Sequence, residues 1–233
     1  MSRRLVLFDI DNTLLSAGGA SARAFVAALR EVFGTFGDAA HYDYSGKTDP
    51  QIVRELMLGA GFTAAEIERR RPLALDAYCE RLAESMQPDD VQEKPGVRAL
   101  LEALESEAEV TLGLLTGNLE PTARLKLAPL EANRFFAFGA FGSDHEDRYQ
   151  LPAIALERAR ETVGISFAGP EVVIVGDSIH DVLCGRDLGV RAVAVATGKT
   201  PPERLADAGP HVLLPDFSDT RASVAAILDG AGS

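Results

Sequence analysis

Basic charge is scarce in this chain: 23 lysines and arginines stand against 35 aspartates and glutamates, for a formal net charge of -12 over 233 residues. Nucleic-acid backbones attract basic faces, so the balance argues against nucleic acid as a partner. A small phosphorylated ligand is still allowed, because one local positive site suffices to hold it. Cysteine is sparse too. Cys79 and Cys184 lie far apart without metal-ligand spacing, and read as buried small hydrophobes in a reducing compartment. Long apolar runs are missing as well. Arg3-Arg4 could open a twin-arginine signal, but Asp9 interrupts the apolar stretch after four residues, which is too short for a signal peptide or a membrane span. The expectation is a cytoplasmic protein with no membrane partner. There is no internal repeat or low-complexity tract, and the length suits one substantial core plus a smaller insert.

What is present gathers first at Leu5-Val-Leu-Phe-Asp9-Ile-Asp11-Asn-Thr13-Leu-Leu15. An unbroken apolar run reads as a buried parallel strand, and open α/β sheets place their chemistry at the C-terminal ends of such strands. Side chains alternate along a strand, so Asp9 and Asp11 should leave it on the same side. Two carboxylates so placed repel unless something positive lies between them, and a hard cation with oxygen ligands is the obvious candidate. The plainer alternative is a strand end closed by an Asx turn.

Further along, residues 16–22 are small and hinge-like, and Ala24 to Phe33 has helical spacing. Thr48-Asp49-Pro50 opens a helix, and Thr63-Ala-Ala-Glu66 is a capping-box pattern opening another toward Met86. No convincing strand interrupts this stretch. Residues 87–96, rich in Pro, Asp and Gly, read as a return linker. Beyond it the spacing predicts strands at Val110–Leu115, Phe138–Phe141, Val172–Val175, Val190–Val195 and His211–Leu214. Helices alternate with them at Val97–Leu104, Leu119–Leu130, Leu151–Val163, Ile179–Leu188 (stopped by Gly189), from about Pro201, and near Arg221–Leu228. Such alternation implies an α/β fold, a Rossmann-like parallel sheet with helices on both faces. The expected division is a core of residues 1–15 and 94–233 with an inserted helical unit at 16–93.

Three buried strands end in small, polar, anion-friendly residues. The first gives Asp9 and Asp11. A second gives Thr116, whose hydroxyl and the following Gly117 amide could donate to phosphate oxygens. Another gives Asp177, with Asp181 four residues on. Taken singly, Thr116-Gly-Asn and Gly176-Asp-Ser are more often helix caps; their convergence on one edge of one sheet carries the functional reading.

On these residues the chain resembles the haloacid dehalogenase superfamily, most of all its phosphoglycolate phosphatase-like branch with a helical cap. Asp9-Ile-Asp11-Asn-Thr13 matches the first motif, Thr116-Gly117-Asn118 the second, and Gly176-Asp177-Ser178-Ile-His-Asp181 the fourth. The third motif, a lone basic residue ahead of a helix, falls on Arg148, where many relatives carry lysine followed by proline. The resemblance implies that the insert is the cap. It further implies that Asp9 is the nucleophile in an aspartyl-phosphate mechanism, with Asp11 as general acid and base. Mg²⁺ would be held by the Asp9 carboxylate, the Asp11 main-chain carbonyl and Asp177. Thr116, Gly117, Asn118 and Arg148 would bind the phosphoryl oxygens. Thr13, Ser178 and Asp181 would support them, Asp181 orienting Arg148 or the metal shell unless it is only a helix-start acid. Gly46, Lys47, Thr48 and Asp49 lie where relatives place a substrate-sensing loop; a turn feeding a capped helix explains them equally well.

Gly46-Lys47-Thr48 and Gly198-Lys199-Thr200 look like P-loop ends, but the required earlier glycine is replaced by His41 and Val193. Asp144-His-Glu-Asp147 reads as a solvated acidic loop rather than a metal cluster, and His180 as a helix-surface residue. The expected activity is a Mg²⁺-dependent phosphatase acting on a small phosphorylated metabolite, phosphoglycolate-like or a sugar phosphate, in a monomer or homodimer. A sugar phosphomutase of the β-phosphoglucomutase kind shares the chemistry and differs only in the acceptor. A haloacid dehalogenase ranks lower because it needs no Asp11, and a non-catalytic phosphate sensor ranks lower because both acids are present.

Overall fold

A computed structural model describes residues 3–17 and 19–229. Met1, Ser2, Gly18 and residues 230–233 lie outside the described residues, and with them one position of the expected hinge and both ends of the expected core. Eight strands occur among the described residues: β1 (Arg4–Phe8), β2 (Leu15–Ser16), β3 (Gln92–Glu93), β4 (Val110–Leu115), β5 (Gly139–Ala140), β6 (Val172–Gly176), β7 (Arg191–Val195) and β8 (Val212–Leu214). Six of them form one all-parallel sheet in the order β5-β4-β1-β6-β7-β8. The helices are α1 (Ala20–Phe33), α2 (Asp49–Gly59), α3 (Ala64–Ser85), α4 (Val97–Glu105), α5 (Glu120–Leu127), α6 (Leu151–Val163), α7 (Ile179–Leu183), α8 (Pro202–Asp207) and α9 (Thr220–Leu228).

The alternation of β1 builds both faces of the core. Val6 and Phe8 pack with Leu100, Leu101 and Leu104 of α4, Ala123 and Leu127 of α5 and Ile227 of α9. Leu5 and Leu7 pack on the other face with Leu151, Ala155 and Ala159 of α6. All four are fully buried, each contributing on the order of 1.5–3 kcal/mol by leaving water. With Leu5 opposite Thr111 on one side and Val172 on the other, β1 is the middle of the molecule.

Between β2 and β3 the chain forms α1, α2 and α3, which bury a cluster of their own around Phe25, Leu29, Val53, Met57, Tyr78 and Leu82. Capping is as the sequence predicts: the Thr48 side chain accepts from Gln51 N, and Thr63 with Glu66 closes a full capping box. Three expectations change. α1 begins at Ala20 rather than Ala24, because Ala20 is buried and packing recruits these small residues into the helix. The two-residue strands β2 and β3 pair antiparallel where the chain leaves and re-enters the core, a ladder too short to carry a pattern. The helix expected at 179–188 stops at Leu183 and resumes as a 3₁₀ turn at Arg186–Leu188. Gly185 lies at that break, where a Cβ would come within 2.7 Å of Ile174 and 2.9 Å of Val190. Cys184 is buried as expected, whereas Cys79 is only half-buried. No helix among the described residues is long and apolar enough to cross a membrane.

Candidate active site

Asp9 follows β1 directly, its N–H donating to Val175 O of β6 at 2.9 Å. The chain then turns through Asn12, at φ +64°, a conformation Asn tolerates better than most residues. Asp177 and Ser178 follow β6, and Thr116 to Asn118 follow β4. These strand ends open on a cavity of about 220 Å³ between the sheet edge and the α1–α2 side of the insert.

Three buried carboxylates, Asp9, Asp177 and Asp181, bring one oxygen each within 4.8 Å of one another. Facing them is Arg148, itself buried and held in a 3₁₀ turn whose start is capped by Asp147. Its Nη2 lies 3.2 Å from Asp9 Oδ1 and 3.3 Å from Leu115 O, and it pairs with Asp181 Oδ1. Its Nε is buried with no partner among the described residues. One guanidinium does not balance three acids. Burial, then Asp181 and Asp11, push Asp9 up to about 7 against the pull of Arg148. Burial, then Asp9 and Asp181, push Asp177 up to about 8.

The donor set suits a hard divalent cation, all oxygen and short of positive charge. Asp181 has no oxygen to spare: Oδ1 takes Arg148, while Oδ2 accepts from Ser178 N at 3.0 Å and Ser178 Oγ at 2.6 Å. Thus Ser178 and Asp181 form a capping box on α7 and also steady the guanidinium. Thr13 Oγ1 donates to Asp177 Oδ1 at 3.3 Å. Gly198 backs the other oxygen, where a Cβ would stand 1.6 Å from Asp177 Oδ2. The Gly198-Lys199-Thr200 stretch is therefore no P-loop, yet its glycine is required by the site.

Asp11 also lines the cavity but belongs to a different cluster. Its Oδ2 accepts from Asn118 Nδ2 at 2.8 Å and from Lys126 Nζ at 2.7 Å, while Lys126 also donates to Asn118 Oδ1 at 2.6 Å. Asn118 Nδ2 reaches Thr116 Oγ1 as well, at 2.8 Å. Burial alone would push the Lys126 ammonium down; Asp11, with Tyr78 and Asp49 behind it, raises it above the ordinary lysine range. Here the structure corrects the sequence reading, which looked to a metal ion for the positive charge beside both Asp9 and Asp11. For the Asp11 carboxylate that charge is Lys126. The sequence reading missed it because a lysine in a helix usually snorkels to the surface. Its face was the available signal: Thr122 and Ala123, one turn back, lie on the buried side of α5.

The 46–49 stretch forms a seam between the insert and the core. Gly46, at φ +67°, sits where a Cβ would be 2.3 Å from Ser178 Oγ and 2.7 Å from His180 Cβ, so His180 is half-buried beneath this loop. Gly117 is equally confined, a Cβ there falling 2.0 Å from Lys47 O. Lys47 is paired with Glu55 at 2.7 Å and Tyr42 Oη at 2.9 Å. Asp49 N donates to Gly117 O at 2.8 Å, and its Oδ2 accepts from Leu119 N at 2.9 Å. Burial raises Asp49 to about 6, with Lys126 the main opposing influence. Thr48 is buried and donates to Glu146 O at 2.6 Å. In the 144–147 loop His145 and Asp147 are exposed as expected, but Asp144 and Glu146 are engaged. Asp144 forms a two-point pair with Arg158 at 2.6 and 2.7 Å, and the Glu146 carboxylate bridges Arg54 at 3.4 Å and Arg71 at 2.5 Å of the insert.

Residues 6–195 match the family model described as haloacid dehalogenase-like hydrolase. The chain is 29% identical over 225 residues to the phosphoglycolate phosphatase of Agrobacterium fabrum, covering 92% of this chain and 89% of that one. It is 29% identical over 218 residues to the N-acetylmuramic acid 6-phosphate phosphatase of Pseudomonas aeruginosa, covering 87% and 86%. Among solved structures, a Bacteroides vulgatus protein named for β-phosphoglucomutase superposes with a TM-score of 0.68 at 19% identity, covering 98% of this chain and 90% of that one.

Proposed function

The chain belongs to the haloacid dehalogenase-like hydrolase family, and on that premise we propose that it is a metal-dependent phosphomonoesterase working through an aspartyl-phosphate. One observation carries the reading: a buried nucleophile candidate, Asp9, stands against an arginine whose Nε has no acceptor among the described residues, among acids short of positive charge. A phosphoryl group supplies the acceptor and a divalent cation the charge.

Asp9 attacks phosphorus, and the bond to the leaving oxygen breaks as Asp11 gives that oxygen a proton. Asp11 then takes a proton from the water that attacks the aspartyl-phosphate, releasing phosphate and restoring Asp9. Arg148, the Thr116 hydroxyl and the Gly117 amide bind the non-bridging oxygens, and Asn118 ties Thr116 to Asp11. Asp181, with Ser178, keeps Arg148 aimed. Asp9, Asp177 and the Asp11 main-chain carbonyl would hold Mg²⁺, which supplies the positive charge that lets carboxylate and phosphate meet. Residues 16–93 act as the cap, and Gly46 to Asp49 as the part that senses the leaving group. The substrate is a small phosphorylated metabolite, in line with the two phosphatases that the chain is similar to.

Hydrolysis of 4-nitrophenyl phosphate with and without Mg²⁺, then of a panel of phosphometabolites, tests the proposal. Metal-dependent phosphate release, with a phosphate adduct on the Asp9 peptide, is the expected result. Metal-independent turnover would overturn it, and an isomerised sugar phosphate without free phosphate would assign a mutase.

A further inference from the structure

The proton that leaves with the product must sit on one oxygen of Asp11, and the two oxygens are not equivalent. Both donors that reach this carboxylate, Lys126 Nζ at 2.7 Å and Asn118 Nδ2 at 2.8 Å, converge on Oδ2. Oδ1 takes no hydrogen bond among the described residues, and Asp11 lines the cavity. Lys126 is almost wholly buried, and its only carboxylate partner among the described residues is Asp11. A buried ammonium is costly unless paired and hydrogen-bonded, and an apolar residue would fill this face of α5 without that cost. We propose that Lys126 is the positioning residue of the acid/base step: it pins Oδ2, with Asn118, so that Oδ1 is the oxygen that gives and takes the proton.

This rests on the phosphatase reading and assigns a role in it to a residue outside the four motifs. Oδ1–H gives its proton to the leaving oxygen as the P–O bond breaks, and Oδ1 later accepts one from the attacking water. Lys126 keeps its own three protons throughout.

Leaving-group dependence separates this role from a structural one. 4-Nitrophenolate departs without a proton, whereas a simple alkoxide needs one. The measure is kcat/KM, because it includes no step after the leaving group departs. Lys126→Met is expected to lower kcat/KM for an alkyl phosphate by about 10- to 100-fold, part of the 10²–10⁴ that a positioned acid contributes. For 4-nitrophenyl phosphate the expected loss is under about 3-fold, since that ester needs little of the acid's contribution. The alkyl loss falls in kcat with KM nearly unchanged, and Lys126→Arg recovers part of it. Where Lys126→Met does not fold, Lys126→Gln carries the same comparison. Equal losses on the two esters, or none on either, overturn the assignment. A wild-type chain that cleaves neither ester overturns the phosphatase reading and this inference with it. A wild type that cleaves both, with variants that keep its ratio, overturns the Lys126 role alone.

Discussion

Around Arg148, three buried carboxylates meet one guanidinium; around Lys126, one carboxylate meets one ammonium and one amide. The first cluster is under-neutralised, and Asp9 and Asp177 keep their protons to higher pH because of it. The second is balanced within the chain, with donors already in place. On the proposed function the difference is a division of labour: the Arg148 side would receive charge from outside, as a cation and a phosphoryl group. The Lys126 side is built to hold one acid still.

Substitutions can break that contrast. The largest effect is expected from Asp9→Asn, which removes the proposed nucleophile and should lower kcat by at least about 10³-fold, read as phosphate release. Next is the cation itself. Asp177→Asn should weaken Mg²⁺ binding by about 100-fold, and Gly198→Ala, which drives a methyl into the same carboxylate, by about 10-fold; calorimetric titration of each variant checks both.

Acidity sharpens the contrast further. Asp9 and Asp177 have folded values near 7 and 8, above the ordinary aspartate value of 3.8. These two groups therefore bind more protons in the metal-free folded chain than in the unfolded one between about pH 4 and 8. The stability they contribute is full below that window and lost as the pH rises through it. Melting temperatures of metal-free protein should fall across the window, and saturating Mg²⁺ should flatten the fall. The smallest effect is expected on the balanced side: Asp11→Asn keeps the main-chain carbonyl and should change Mg²⁺ affinity by less than about 3-fold, because it leaves the under-neutralised cluster intact.

Much of the core was legible from its chemistry. Apolar runs ending in Asp9, Thr116 and Asp177 announce parallel strands and their polar edge together, and Thr48 and Thr63 announce helix starts through side chains that cap them. What escaped depends on contacts distant in sequence. Lys126 draws no notice until Asp11 is found 2.7 Å away. Gly198 reads only as part of a false P-loop end until Asp177 is seen against it. Glu146 reads as one acid among several until Arg54 and Arg71 close on it from the insert. The β2–β3 ladder is two residues long, shorter than any periodicity can reveal.

The central position of β1 also bears on how the chain comes together during synthesis. β1 leaves the ribosome before either strand it pairs with, since Leu5 pairs with Thr111 and Val172, both beyond the whole helical insert. At about 5–20 residues per second, its first neighbour emerges on the order of 5–20 s later. In that interval an exposed Leu-Val-Leu-Phe strand waits with both edges unpaired, the kind of segment most prone to stick to other nascent chains. The insert can bury its own cluster meanwhile, since α1, α2 and α3 need few partners from outside. β1 is thus covered on both edges only once β4 and β6 have been made.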